Sequence, residues 1–404
     1  MNGSTQSSSA SLSETAAPTG RPGWTRRLGR ALSRLDWSAY GIVVAMILIW
    51  LVFNVATAGL FLSPRNLTYL AVQAVILGIG SCGMVLVMVA GHIDLSVGSA
   101  VGLTATVAAY AQVALGWPGP PAILAAIGVG LLIGIWQGGW VAFAGIPAFI
   151  VTLAGMTLLR GLTYLLTNGQ TYAPMTPDVG VIAGGFIGSV PSAVLVVAAI
   201  VGAIAVAIRR GRAGGAPRQH AVTAEILRSL PLLIILGIVL YVAWAYRGIP
   251  IAVLIFAVLA LTLAFVATRT RFGRHLYAIG GGREAAILAG IDAASHTFAL
   301  FVGMGALYGL AGVVLASRLN GAPPDPALGL ELDCITAAII GGTSLMGGVG
   351  TIQGAILGAI LLTSVSNGMD LMGMSSYFQF VVKGLILLLA VLLDMFLKRR
   401  QVVS

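Results

Sequence analysis

Uninterrupted apolar runs constrain this chain more than any other feature. Stretches of about 18 or more apolar residues recur from end to end, each long enough to cross the hydrocarbon core of a bilayer as a helix. A closed barrel would show short alternating strands instead, and these runs are continuous. Only 8% of the 404 residues are charged, against about 25% in soluble domains, so a water-facing surface cannot be covered. The expected fold is an all-α polytopic membrane protein of about twelve spans. They fall near 39–60, 68–90, 97–115, 122–144, 148–167, 191–208, 230–246, 250–267, 296–316, 334–348, 352–369 and 377–396.

Charge sets the expected orientation. Five Lys and Arg precede Asp36, five lie in 209–229, four in 268–295 and three after the last run. The alternate segments hold three, Arg65, Arg247 and Arg318. The positive-inside bias therefore predicts both termini in the cytoplasm. Topology accounts for the net charge of +10, and no basic, aromatic module outside the membrane suggests nucleic acid. Residues 1–36, rich in Ser, Gly and Pro ahead of an Arg cluster, are expected to be a disordered cytoplasmic N-terminus. The membrane-spanning body is expected over 37–397, with a cytoplasmic loop at 209–229 and a tail at 398–404. The run from Ala39 to Leu60 is too long for a cleavable signal. Two cysteines, Cys82 and Cys334, are too few for a structural zinc site.

Two Gly-rich stretches look like broken helices, Gly91 to Ser99 and Gly341 to Gly350, one in each half of the chain. Paired interruptions suggest an internal repeat with a pathway near its interface. The pathway candidates are Gly91, His92, Asp94, Ser96, Gly98, Ser99, Gly341, Gly342, Thr343, Ser344 and Asn367. Asp94 has two readings, a pathway carboxylate or an N-cap ahead of Val97. His92 reads as a proton relay or a packed residue. Lys383 and Arg160 either snorkel or find polar partners, with snorkelling expected for Lys383. Asp370 is expected in an external loop. Loops at 168–190 and 317–333 suit an external partner or are plain connectors.

The longest charged interruption in the second half is Thr268 to Asp292. A Gly280-Gly281-Gly282 turn is expected there, followed by a short amphipathic helix from Arg283 to Ile291. Glu284, Ala285 and Ala286 lie near its start and Gly290 near its end. A P-loop cannot be written, because Lys383 and Lys398 are the only lysines and neither follows a glycine. No catalytic residue, metal site or cofactor is expected in the chain. Any ATP and Mg would be bound by a partner ATPase.

These segments resemble the ribose/xylose-type sugar ABC permeases. Gly91 to Ser99 is similar to their GGIDLSVGS signature. Ala278 to Ala286 with Gly290-Ile291 is similar to their AIGGNxxAA…GI segment, and Gly341 to Gly350 to their GGxSxxGGxG stretch, with Asn367-Gly368-Met369 following. His92 stands where the family has a glycine, and Gly282 where it has an asparagine. The added length at 209–249 is similar to the xylose-type permeases. The resemblance implies a monosaccharide importer subunit, with xylose the expected sugar. It also implies a second permease chain, ATPase subunits docked on 280–291, and an external sugar-binding protein. Two other classes fit the residues alone: a proton-coupled secondary transporter using Asp94, His92 or Lys383, and a channel or structural subunit.

Overall fold

The computed structural model describes residues 37–213 and 218–403. The expectations for 1–36 and for 214–217 lie outside the described residues. Among those described, the regular structure is helical, with three isolated β-bridges. In chain order the helices are α1 Trp37–Ala56, α2 Pro64–Val89, α3 Val97–Val113, α4 Gly119–Ala142, α5 Ala148–Thr167, α6 Pro177–Gly184, α7 Ser189–Ala213 and α8 Arg218–Ala245. Then follow α9 Ile251–Arg269, α10 Arg271–Gly281, α11 Arg283–Leu288, α12 Ala293–Leu319, α13 Leu330–Ile340, α14 Ile352–Leu371 and α15 Ser376–Val403.

Among the described residues, eight helices are at least 18 residues long and apolar enough to span a membrane, and three shorter apolar helices accompany them. Two expected boundaries are corrected. The run at 334–348 is not a span, because its helix ends at Ile340. Eleven residues in α13 rise about 16 Å, half of a ~30 Å core. The loop expected over 209–229 is helical to Ala213 and again from Arg218.

Helix starts follow local chemistry. Ser63 caps α2 by accepting from Asn66 N–H, with Pro64 in the first turn. Thr270, Asp292 and Thr351 cap α10, α12 and α14 in the same way. α2 is apolar all round and buried along nearly its whole length, as a central helix of a bundle must be. α12, α13 and α14 surround it, while α7 pairs with α8 at the periphery.

Glycines set how close the helices come. A Cβ on Gly130 would lie 2.3 Å from Gly305 O, and one on Gly134 would lie 2.3 Å from Phe301 O. The α4–α12 contact is thus backbone on backbone, the small-residue packing that drives association in lipid. The two loops expected to face outward are joined: Tyr172 N–H donates to Ala322 O at 3.1 Å, and Ala322 N–H to Tyr172 O at 3.0 Å. Ser317 Oγ–H donates to Val179 O at 2.7 Å, tying α12 to α6. Asn320 in the αL conformation ends α12, so Ser317 belongs to the helix rather than to the loop.

Candidate functional site

The three Gly-rich segments meet at one point. Gly348 N–H donates to Val89 O at 2.9 Å. Gly280 lies against both: a Cβ there would be 1.7 Å from Val89 O and 2.8 Å from Gly348 N. A Cβ on Gly347 would be 2.7 Å from Gly280 O, and one on Gly91 would be 3.9 Å from Gly280 Cα. Tyr277 Oη–H donates to Gly350 O at 2.7 Å from the same side. The end of α2, the end of α10 and the 341–350 turn are therefore one backbone junction. No side chain fits between them at this spacing.

The junction changes how its parts are read. The 341–350 stretch lies at the same end of the bundle as α10 and α11. Its backbone turns through Gly342, Gly347 and Gly348, all at positive φ, where L side chains are strained. Ser344 N–H donates to Val349 O at 2.9 Å and closes the turn. Thr343 is buried, and Gly341 abuts the backbone of Gly354. Gly280 and Gly281 continue α10, and Gly282 alone breaks the chain before α11. The expected helix from Arg283 to Ile291 ends earlier, at Leu288, and Gly290 at φ +83° turns the chain into α12.

The outward face of α11 also differs from expectation. Ala286 is buried against Ile279, Ile291 and Ala293, so it holds α11 to its own chain. Arg283, Glu284, Ala285 and Ile287 are exposed, and Leu288 is 90% exposed. Met346 and Val349 of the adjoining turn are exposed as well. Asp292, which accepts from Ser295 Oγ–H and N–H, is held below the usual carboxylate range chiefly by the Ser295 hydroxyl.

A second constellation lies deep in the bundle. After Gly91 the chain runs without regular structure to Ser96, where α3 begins. His92 Nε2 is buried without a hydrogen-bond partner, and its ring lies 6.3 Å from that of Phe301. Asp94 is fully buried. Its Oδ1 accepts from Ser96 N–H at 2.8 Å and from Ser96 Oγ–H at 2.6 Å. Its other oxygen accepts from Tyr308 Oη–H, near the middle of α12. Gln137 Nε2–H donates to Ser96 Oγ at 2.7 Å, and Ser99 Oγ–H donates to Ser96 O at 2.9 Å. Neither Asp94 nor Ser96 makes the side-chain cap expected at the start of α3. Asp94 instead closes a turn one step ahead of it and holds α12 to that turn.

α3 and α13 meet start to start. A Cβ on Gly98 would lie 1.9 Å from Glu331 Oε2 and 2.8 Å from Ala327 O. Arg160 of α5 reaches across, with Nη2 3.9 Å from Glu331 Oε1 and Nε 3.7 Å from Asp325 Oδ2. Two interrupted helices with facing N-termini inside a bundle are the arrangement found where transporters handle substrate. The interruption that faces α3 is 320–330, while the expected 341–350 stretch separates α13 from α14.

Other expected residues lie apart. Asn367 is inside α14, near its end, and exchanges hydrogen bonds of 2.8 and 3.2 Å with Asn66 at the start of α2. Asp370 is the penultimate residue of α14, not a loop residue, and accepts from Gln379 Nε2–H at 2.7 Å. Lys383 does not snorkel: its Nζ–H donates to Asp333 Oδ2 at 2.7 Å. Tyr308, Gln137 and Glu331 were not singled out in the sequence. Gln137, alone among apolar residues and glycines, carried a usable signal, because an amide at membrane depth needs a partner. Tyr308 carried none.

Residues 66–391 match the family described as branched-chain amino acid transport system, permease component. The chain belongs to this family. It is 41% identical over 378 residues to the xylose transport system permease protein XylH of Escherichia coli strain K12, covering 92% of this chain and 95% of that one. XylH of Haemophilus influenzae is 40% identical over 373 residues, at 92% and 99% coverage. The ribose import permease protein RbsC of Escherichia coli strain K12 is 34% identical over 334 residues, at 83% and 87%. No solved structure matches the chain. The protein is thus a multi-pass membrane permease component, and its relatives in this family are transport subunits rather than enzymes.

Proposed function

We propose that the chain is the membrane-spanning subunit of a bacterial ABC importer that carries a pentose, xylose, across the inner membrane. The observation that carries this reading is identity to xylose permeases at near full length on both sides. ATPase chains bind the ATP and Mg, an external binding protein delivers the sugar, and two copies of the chain form the pathway. Both termini and the α10–α11 end face the cytoplasm, in keeping with the basic residues of 268–295.

The glycine junction supports a specific coupling route. Force on the exposed Ile287–Leu288 edge of α11 reaches the adjoining end of α10 across Gly282. Gly280 is at this α11 end of α10 and passes the force by direct backbone contact to the end of α2 and the 341–350 turn. Rigid backbone contact transmits displacement where flexible side chains would absorb it. The turn follows directly on α13 and α2 leads toward α3, so both interrupted helices are one connection away. Alternating access follows when ATPase closure moves this junction and shifts α3 against α13.

The test is co-purification from the native membrane with identification of bound chains, followed by ATPase measurement with D-xylose and its binding protein. ATPase chains should accompany the permease, and sugar should stimulate hydrolysis. Uptake that persists without any ATPase and collapses with the proton gradient would sink the importer reading in favour of a secondary transporter.

A further inference from the structure

A cavity of about 160 Å³ lies among α2, α12, α13, α14 and α15. Its polar lining is Gln73, Arg318, Asp333, Thr363, Ser366 and Lys383, and the rest is mostly aliphatic. It lies in the half of the bundle away from the glycine junction. Gln73 is in the first half of α2, whose last residue is at the junction. Arg318 is at the far end of α12, and Thr363 and Ser366 are in the far half of α14.

Among the described residues, the side chains of Gln73, Arg318, Thr363 and Ser366 make no hydrogen bond. Lys383 and Asp333 bond to each other at 2.7 Å. The lining thus holds two cations, Arg318 and Lys383, and one carboxylate, Asp333. The cavity offers an amide, two hydroxyls and a fixed ion pair, all unspent toward its interior. Such a set both donates and accepts.

We propose that this cavity is a monosaccharide subsite, taking up the sugar on the side opposite the ATPase. The proposal rests on the importer reading. A pentose is neutral, and each of its hydroxyls needs a donor and an acceptor, which amide, hydroxyl and ion-pair groups together supply. Aliphatic side chains supply apolar contact, and the convergent polar groups fix orientation, as in small-ligand sites generally.

The test uses the full assembly in liposomes. Cys82 and Cys334 are both buried, so a single new thiol at Leu328→Cys, on the cavity rim and 52% exposed, reports alone. D-xylose should slow its methanethiosulfonate labelling at least about three-fold, the factor 1 + [L]/Kd reached at twice Kd. Adding Thr363→Val and Ser366→Ala should abolish the protection while thermal stability and ATPase co-purification hold. Labelling unchanged by D-xylose overturns the subsite, as does protection by sodium sulfate but not by D-xylose, which would mark an anion site. ATP-dependent import of D-xylose by the unaltered assembly is measured in parallel. Its absence overturns the importer reading, whereas intact import without protection overturns only the subsite.

Discussion

Gly348 N–H donates to Val89 O at 2.9 Å, joining a turn late in the chain to the end of α2. Gly280 is wedged against that bond, and a Cβ there would fall 1.7 Å from the same carbonyl. Its neighbour Gly281 has nothing within 4 Å of its own Cβ position. Gly280→Ala should therefore destabilise the detergent-solubilised protein by about 1–3 kcal/mol or more, the usual cost of overpacking. Gly281→Ala should leave its thermal midpoint near that of the unaltered protein. Equal midpoints for the two variants would refute the junction.

The outward edge of α11 makes a second pair. Ala286 is buried against its own chain and Leu288 is 90% exposed. Leu288→Asp should lower ATPase co-purification at least ten-fold, with expression and melting temperature kept. Ala286→Trp should instead lower the melting temperature of the isolated permease. A Leu288→Asp assembly that holds its ATPase would exclude α11 as the docking edge.

Asp94 and Tyr308 share a buried hydrogen bond. Tyr308→Phe leaves a buried carboxylate oxygen short of its donor and should cost about 1–3 kcal/mol, the penalty for an unsatisfied buried group. Asp94→Asn removes the charge and keeps an acceptor toward Ser96, so it should be milder. Thermal unfolding of the two variants checks the order; a harsher Asp94→Asn would mean that the charge itself is required.

Arg160 is the cation beside Glu331 and Asp325. Arg160→Met removes the cation beside both carboxylates; with Arg160 and Asp325 part-exposed and the contacts at 3.7 and 3.9 Å, it should destabilise by about 1 kcal/mol. Adding Glu331→Gln should recover part of that loss. A double-mutant cycle on melting reads the coupling, and additive effects would show that the ion pair contributes nothing.

Asp178 accepts from Thr176 Oγ1–H and from Gly119 N–H at 2.6 Å, anchoring α6 to the start of α4. The Thr176 hydroxyl, then the backbone donors, hold its carboxyl below the usual range. A depressed folded value contributes stability that is full above the unfolded value and is lost as pH falls through the folded one. Hydrogen exchange in 168–190 should stay slow down through the ordinary carboxylate range and quicken only below it. Asp178→Ala should quicken it at neutral pH already.

The membrane class, most helix positions and the three Gly-rich motifs were legible in the sequence, because bilayer thickness fixes run length and glycine alone permits close backbone approach. Local chemistry also marked α11, through Gly282 and Gly290 on either side of it. Tertiary structure decided what the motifs do together. Gly91, Gly280 and Gly348 are far apart in sequence, and nothing in their spacing says that their backbones touch. The partner of α3 proved to be α13 entered from 320–330, since a half-length helix and a full span share one apolar pattern until their neighbours are known. Asp94 found Tyr308 and Lys383 found Asp333 across helix interfaces, where a buried polar group must pair and periodicity within one helix cannot name the partner.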